Sequence, residues 1–285
     1  MNLENLKIGF IGAGNMGGAM IGALVRSKVP PSNIIVYDKN EARANEIKNT
    51  YDIRIAASNP DIILQSDIVV FAVKPQIINQ VLKELVSDDF AANFSTKKIL
   101  VSIAAGIPIS RIEGIIYPAL TEQNRKRTAI IRVMPNTPAL VGAAMSAMCA
   151  NDHAVDKDIA IVRKLLSFMG DVITCPESLM DAVTAVSGSG PAYCFFLAEA
   201  MIHAAVLLGF SKEDARKLTL STLSGAVRLM AEDGSDPETL RARVTSPGGT
   251  TEAAIRVLDQ NGVKESIVSA IRAAAERSAQ LSKID

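Results

Sequence analysis

The chain has 285 residues, 48% hydrophobic and 21% charged, which is enough for a full core and, at this length, for about two domains. Thirty basic side chains balance 30 acidic ones, tryptophan is absent and aromatic residues make up 4%, so neither the basic surplus nor the stacking platform of a nucleic-acid binder is present. No uncharged apolar run reads as long enough to span a bilayer, and "MNLENL" leads straight into "KIGFIGAG" without a secretory signal, so a cytosolic protein with no membrane partner is expected.

Residues 7–11, "KIGFI", predict a short buried strand. "GAGNMG" follows at once, placing Gly12, Gly14 and Gly17 in GxGxxG spacing, and "NMGGAMIGALVRS" then carries helical periodicity. Between a strand and a helix, this motif points to a dinucleotide pyrophosphate. Gly12 is expected to make the tight turn, Gly14 to let phosphates approach the backbone, and Gly17 to let helix pack closely on strand. The helix start offers unpaired N–H groups and partial positive charge to the phosphates. The pattern then repeats. "NIIVYD" (33–38), "SDIVVFAVKP" (66–75), "KKILVSIAAG" (97–106) and "RTAIIRVMPNTP" (127–138) read as further strands, with helical stretches such as "QIINQVLKEL" between them. Such alternation predicts an α/β fold with a doubly wound parallel sheet, its ligand outside the carboxyl ends of the strands. The loops "AVKP", "IAAG" and "PNTP" are therefore expected to rim a dinucleotide site.

The choice of dinucleotide turns on the end of the second strand. Asp38 would bond a ribose 2′-OH and repel a 2′-phosphate. Lys39 follows directly and Arg43 lies one helical turn further on. Either cation would pair with a 2′-phosphate if the carboxylate pointed away, and either could equally be solvated surface charge.

After "GDVITCPE" (170–177) the texture changes to alanine- and leucine-rich helical runs, among them "AYCFFLAEAMIHAAVLLG" and "VKESIVSAIRAAAERSAQLSKI". Ser211 with Asp214, and Asp236 with Pro237, mark helix starts. The chain thus divides into residues 1–174, dinucleotide-binding, and 175–285, all-helical. These helices carry more apolar surface than one small bundle needs, which predicts a partner chain. Cys149, Cys175, Cys194, His153 and His203 show neither CxxC nor HxxxH spacing, so no metal site is expected, and the cysteines read as small core residues. Glu199 and His203, at i and i+4, read as a helix-face pair or a core histidine before a functional dyad.

Two loops break the helical texture: "VSGSGPAY" (186–193) and "SPGGTTEAA" (246–254). Both put backbone N–H groups at helix entrances, which suits a small carboxylate ligand. Gly248 and Gly249 would let that carboxylate approach the main chain, and the threonines would add hydroxyl donors. The plainer alternative is that Thr250 or Thr251 is an N-cap.

Taken in order, "GFIGAGNMG", "FAVKP", "VSIAAG", "MPNTPALVG", "SGSGPAY" and "SPGGTT" resemble the signature runs of the pyrroline-5-carboxylate reductase family over essentially the whole chain. The resemblance implies NAD(P)H-dependent reduction of 1-pyrroline-5-carboxylate to L-proline, the last step of proline synthesis. It implies a Rossmann-like domain followed by a helical substrate-binding and dimerisation domain, with homodimers and often rings of dimers. Carried over motif by motif, Ile11, Gly12, Ala13, Gly14, Asn15 and Met16 hold the pyrophosphate. Asp38, Lys39, Asn59, Ala72, Val73, Lys74, Pro75, Ile103, Ala104 and Ala105 complete the nucleotide site. Lys39 and the resemblance favour NADPH, with NADH usable through Asp38. Gly248, Gly249, Thr250 and Thr251 fall at the substrate, with Ser187, Gly188, Ser189 and Gly190 on the facing wall, and Thr251 is assigned the catalytic role of bonding the ring nitrogen. Glu232, Asp233 and Gly234 align ambiguously and stay outside the site. A protonated imine is already a good electrophile, so an orienting hydroxyl and a water suffice around "SPGGTT", which has no histidine, lysine or cysteine. Two rivals fit less well. A β-hydroxyacid dehydrogenase resembles this layout but relies on a helix lysine, and residues 192–210 hold none. A non-catalytic NAD(P)-sensing protein has no reason to keep the second pair of loops.

Overall fold

The computed structural model describes residues 3–86, 94 and 96–281. Strands and helices alternate as β1 (Ile8–Ile11), α1 (Asn15–Arg26), β2 (Ile34–Tyr37), α2 (Glu41–Tyr51), β3 (Arg54–Ile55), α3 (Asn59–Gln65), β4 (Ile68–Phe71), α4 (Ile78–Leu85) and β5 (Lys98–Ser102). Then come α5 (Ile109–Ile116), α6 (Glu122–Arg125), β6 (Thr128–Met134), β7 (Ala144–Ala150), α7 (Asp156–Ser167) and β8 (Gly170–Thr174). They form one sheet in the order β3-β2-β1-β4-β5-β6-β7-β8. The strand order reverses between β1 and β4, the switch point where ligands enter such sheets. In-register pairing sets Ile11 beside Tyr37 and Phe71, so Gly12, Asp38 and Ala72 all emerge at the same carboxyl edge.

β1, β4 and β5 are buried along their whole length, as β-branched runs must be when helices cover both faces of a parallel sheet. The period of two sends neighbouring residues to opposite faces. Phe10, Val36, Val70 and Val101 join Met20 and Leu24 of α1 on one face. Ile11, Ile35, Val69 and Leu100 join Val81 and Leu82 of α4 and Ile112 of α5 on the other. Each such side chain contributes about 1.5–3 kcal/mol when fully removed from water.

The sheet is not parallel throughout. β7 runs antiparallel to β6, and β8 is parallel to β7. β7, "AMSAMCA", was not among the expected strands, because alanine, methionine and serine carry little β-propensity. Its two neighbours make it a strand, with Ile131 opposite Ala150 and Ala147 beside Ile173. Gly170 opens β8 at φ 148°, and a Cβ there would stand 2.1 Å from the carbonyl oxygen of Ala144. Strain and overlap together predict a loss of roughly 3 kcal/mol for Gly170→Ala. The expected fall in Tm, about 10 °C for a unit of this size, is measurable by scanning calorimetry; an unchanged Tm would mean the β7–β8 edge can yield.

The chain forms two compact units, Met1–Gly188 with Ala274–Asp285, and Ser189–Ala273. The first also contains α8 (Met180–Val183) and a π-helical turn, Thr184–Gly188. The second is helical: α9 (Gly190–Leu207), α10 (Lys212–Asp233), α11 (Pro237–Arg243), α12 (Thr250–Gln260) and the first part of α13 (Val263–Leu281). Ser211 caps α10 as expected, its Oγ accepting from the amide of Asp214 at 3.1 Å. Pro237 occupies the first turn of α11, whose N-cap Asp236 makes no side-chain cap bond.

The expectation that all three cysteines are core residues needs correcting, and of the two structural readings of His203 the helix-face one stands. The helical stretch Glu177–Leu207 reaches a mean hydropathy of 1.4, enough by length and composition alone to cross a membrane. Cys149 is buried, but Cys175 is only half-buried and Cys194 is exposed on α9. His203 is exposed as well, so it is not a core histidine. The exposure of Cys194 and that of His203 have one cause. Apart from Glu199 and His203, α9 carries small and apolar side chains on every side yet contains no buried residue, and Phe195, Phe196 and Leu207 are 62%, 75% and 74% exposed.

Candidate active site

The glycine-rich turn divides its three glycines between two tasks. The Gly12 amide donates to the carbonyl of Tyr37 at 2.8 Å. Gly12 sits at φ 106°, and a Cβ would stand 2.7 Å from the carbonyl oxygen of Ala72. At Gly17 a Cβ would meet the carbonyl oxygen of Gly12 at 2.6 Å. Both positions are closed by backbone. Gly14 differs: it is the N-cap of α1 in extended conformation, and a Cβ there meets no heavy atom within 4 Å. Helix geometry leaves the amides of the first turn of α1, at Asn15, Met16 and Gly17, without intrahelical partners.

Asp38 ties the turn to the end of β2. Its Oδ2 accepts from the amide of Ala13 at 2.7 Å and its Oδ1 from the amide of Asn40 at 2.8 Å. Lys39 is exposed, as a solvated surface charge would be, but it already has a partner. Its Nζ lies 2.7 Å from Oε1 of Glu84 on α4. The other Glu84 oxygen accepts from Nδ2 of Asn59 at 2.8 Å, and Gln80 donates to Oε1 at 3.0 Å. The Lys39 bond holds the Glu84 carboxyl below its ordinary pKa, and the same bond raises the Lys39 ammonium. Asn59 is 3% exposed, and its Oδ1 has no hydrogen-bond partner among the described residues.

These groups border a cleft of about 640 Å³ at the carboxyl edge of the sheet. Of the residues expected at a nucleotide, Ile11, Gly12, Gly14, Asn15, Met16, Asp38, Lys39, Asn59, Ala72, Val73, Lys74 and Ile103 line it. Ala13 and Ala104 do not: they are 6% and 3% exposed, in the cores beneath the edge. Pro75 starts a short 3-10 turn, Pro75–Ile77, and it and Ala105 also lie outside the lining. Arg43 joins the wall, as do Tyr37, Ile77, Gln80 and Val81, which motif reading passed over. A signal for the last three was present, since "QIINQVLKEL" begins directly after the "AVKP" loop and must start at the same edge. The open Cβ direction of Gly14, the unpaired helix-start amides and the unpartnered Asn59 oxygen fit a dinucleotide, whose phosphates and ribose hydroxyls would supply the missing partners.

The two substrate-loop motifs are folded differently from each other. Ser187 and Gly188 belong to the first unit, whereas Ser189, Gly190 and residues 248–251 belong to the second. Asn136 of "PNTP" donates from Nδ2 to the carbonyl and Oγ of Ser187, each at 3.3 Å, while its Oδ1 accepts from the amide of Met145 at 2.9 Å. Asn136 thus fixes the start of "SGSGP", a role its motif did not suggest. In "SPGGTT" the N-cap of α12 is Gly249, with no side-chain cap bond. Neither Thr250 nor Thr251 caps the helix. The turn is closed from inside instead, because Glu252 Oε2 accepts from the amide of Gly248 at 2.9 Å and the Gly249 amide donates to Ser246 at 3.0 Å. The amides of Gly248 and Gly249 are therefore committed, contrary to expectation. The amides left unpaired by helix geometry are those of Thr250, Thr251 and Glu252.

The sheet, its switch-point cleft and the glycine-rich turn define a dinucleotide-binding protein of the Rossmann class with a helical second unit. Residues 7–106 match the family model for coenzyme F420-dependent NADP oxidoreductases, and residues 177–281 match that for pyrroline-5-carboxylate reductase dimerisation. The chain is 39% identical to the pyrroline-5-carboxylate reductase of Corynebacterium melassecola, over 97% of this chain and 98% of that one. It is also 39% identical to that of Methanosarcina acetivorans, over 99% and 100%. A crystal structure of Plasmodium falciparum pyrroline carboxylate reductase with NADP bound matches at a TM-score of 0.86 and 30% identity, over 99% of this chain and 100% of that one. The chain belongs to the pyrroline-5-carboxylate reductase family.

Proposed function

We propose that this protein reduces 1-pyrroline-5-carboxylate to L-proline with NAD(P)H, the last step of proline biosynthesis, and that NADPH is the favoured cofactor with NADH usable. The observation that carries the substrate half of this reading is the start of α12. Its two threonine hydroxyls are not used for capping, and its first-turn amides have no helical partner. The hydride for the imine carbon is what a bound nicotinamide supplies. The amides of Asn15, Met16 and Gly17, at the positive end of α1, hold the pyrophosphate. Thr251 orients the ring nitrogen, and the Thr250, Thr251 and Glu252 amides receive the carboxylate. Ser187, Gly188, Ser189 and Gly190 are assigned to the substrate by their family motif, with Ser187 held by Asn136. No strong general acid is required, because the imine nitrogen enters protonated and the product amine exchanges its proton with water.

The direct test follows loss of reduced-nicotinamide absorbance on adding pyrroline-5-carboxylate, with NADPH and NADH in parallel. No turnover with either cofactor would rule the reading out.

The second unit, as part of residues 175–285, acts in substrate binding and in assembly. The uncovered apolar circumference of α9 supports a homodimer, on which larger rings can be built. An obligate interface of more than roughly 2,000 Å² in total is expected. Light scattering at low micromolar concentration should then detect no monomer, and a fully active monomer would overturn the assignment.

A further inference from the structure

Behind the cleft lining stands an acidic group, Glu84, that no dinucleotide motif assigns. Glu84 lies near the end of α4, and its carboxylate joins Lys39, which follows β2, to Asn59, which opens α3, with Gln80 as a third donor. Lys39, Asn59 and Gln80 all line the cleft. We propose that Glu84 is a cofactor-specificity residue, acting through Lys39 as an internal stand-in for the 2′-phosphate. This rests on the reading of the cleft as the dinucleotide site.

The chemistry follows from the charges at the end of β2. A 2′-phosphate needs cations, and Lys39, Arg43 and Lys74 are those lining the cleft. Lys39 is already neutralised at 2.7 Å by Glu84. A phosphate can pair with Lys39 only by displacing that carboxylate or by lying beside it, where two anions repel. Asp38 adds a second negative group, anchored by two amides and unable to turn aside without breaking both bonds. A ribose 2′-OH meets neither obstacle, because it can donate to a carboxylate that keeps its lysine. Glu84 therefore weakens NADPH and leaves NADH almost untouched, which narrows the gap between the two cofactors. Arg43 has no ion pair or side-chain hydrogen bond among the described residues, so it remains available to the phosphate.

The discriminating variant is Glu84→Gln. Glutamine keeps a carbonyl for Asn59 and keeps helix propensity in α4, while releasing the Lys39 charge. Dissociation constants would be measured by titration calorimetry for NADPH, NADH, 2′,5′-ADP and 5′-AMP. The set comprises wild type, Glu84→Gln, Lys39→Ala and the double variant, each checked for an unchanged unfolding temperature. Glu84→Gln should tighten NADPH and 2′,5′-ADP about tenfold, equivalent to about 1.4 kcal/mol, and change NADH and 5′-AMP less than about twofold. In the Lys39→Ala background the same substitution should have no selective effect. An unchanged NADPH-to-NADH ratio in Glu84→Gln, with all probes still bound, overturns the role of Glu84 alone. A selective gain that persists without Lys39 overturns the route through that lysine. Failure of the wild type to bind any of the four probes overturns the cleft assignment, and the inference with it.

Discussion

Replacing Gly14 with valine should abolish dinucleotide binding while leaving the protein folded. The backbone at Gly14, φ −68° and ψ −176°, is open to any residue, and a Cβ there meets no protein atom within 4 Å. Valine therefore costs the fold little, but its branched side chain stands beside the first amides of α1, where the pyrophosphate must approach. Calorimetric titration with NADPH and NADH should show affinity weakened by more than about 100-fold, or roughly 2.7 kcal/mol, at an almost unchanged Tm. Gly12→Ala is the contrasting control. With φ at 106° and the Ala72 carbonyl oxygen 2.7 Å from the new Cβ, alanine there should destabilise the turn itself. Near wild-type affinity in Gly14→Val would mean that the turn serves the fold only.

The second large effect is expected at Thr251. A hydroxyl lost from a closed site costs on the order of 1–3 kcal/mol, or roughly 5- to 150-fold in kcat/KM. Thr251→Ala should reach that range with little change in NADPH affinity, because the nucleotide cleft is built by the other unit. Loss of a helix cap does not explain such a result, since Gly249 is the N-cap and forms no side-chain cap bond. Tm should accordingly move little. Thr251→Ser keeps the hydroxyl and should keep most activity. If serine and alanine were equally damaging, orientation of the ring nitrogen by this hydroxyl would be the wrong mechanism.

Much of the nucleotide half was legible because local chemistry dictated it. A glycine that must adopt φ 106°, and another whose Cβ would meet a carbonyl oxygen at 2.6 Å, leave a spacing that survives in the linear chain. Apolar runs covered on both faces by helices show as unbroken β-branched strings, as in "KIGFI" and "DIVVFAV". The family runs did the same for the second half, since "SGSGPAY" and "SPGGTT" each have to place small residues at a helix entrance.

What stayed hidden depended on partners distant in the chain. β7 is a strand because β6 and β8 bracket it, not because "AMSAMCA" favours extension. Asn136 holds Ser187 from 51 positions away, and no spacing rule joins them. The threonines of "SPGGTT" read as possible caps until Glu252 is seen closing the turn on Gly248. Lys39 reads as a ready phosphate partner until Glu84, 45 positions later, is found on its ammonium. The strand–glycine–helix cradle and the doubly wound class were legible in the linear chain because they follow from backbone sterics and from which residues must avoid water, and the family was legible in its motif runs. Which amides, hydroxyls and charges remain available to a ligand depends on the folded chain. Availability is what is left after every neighbour has taken its hydrogen bonds, and those neighbours are chosen by the fold rather than by proximity in the chain.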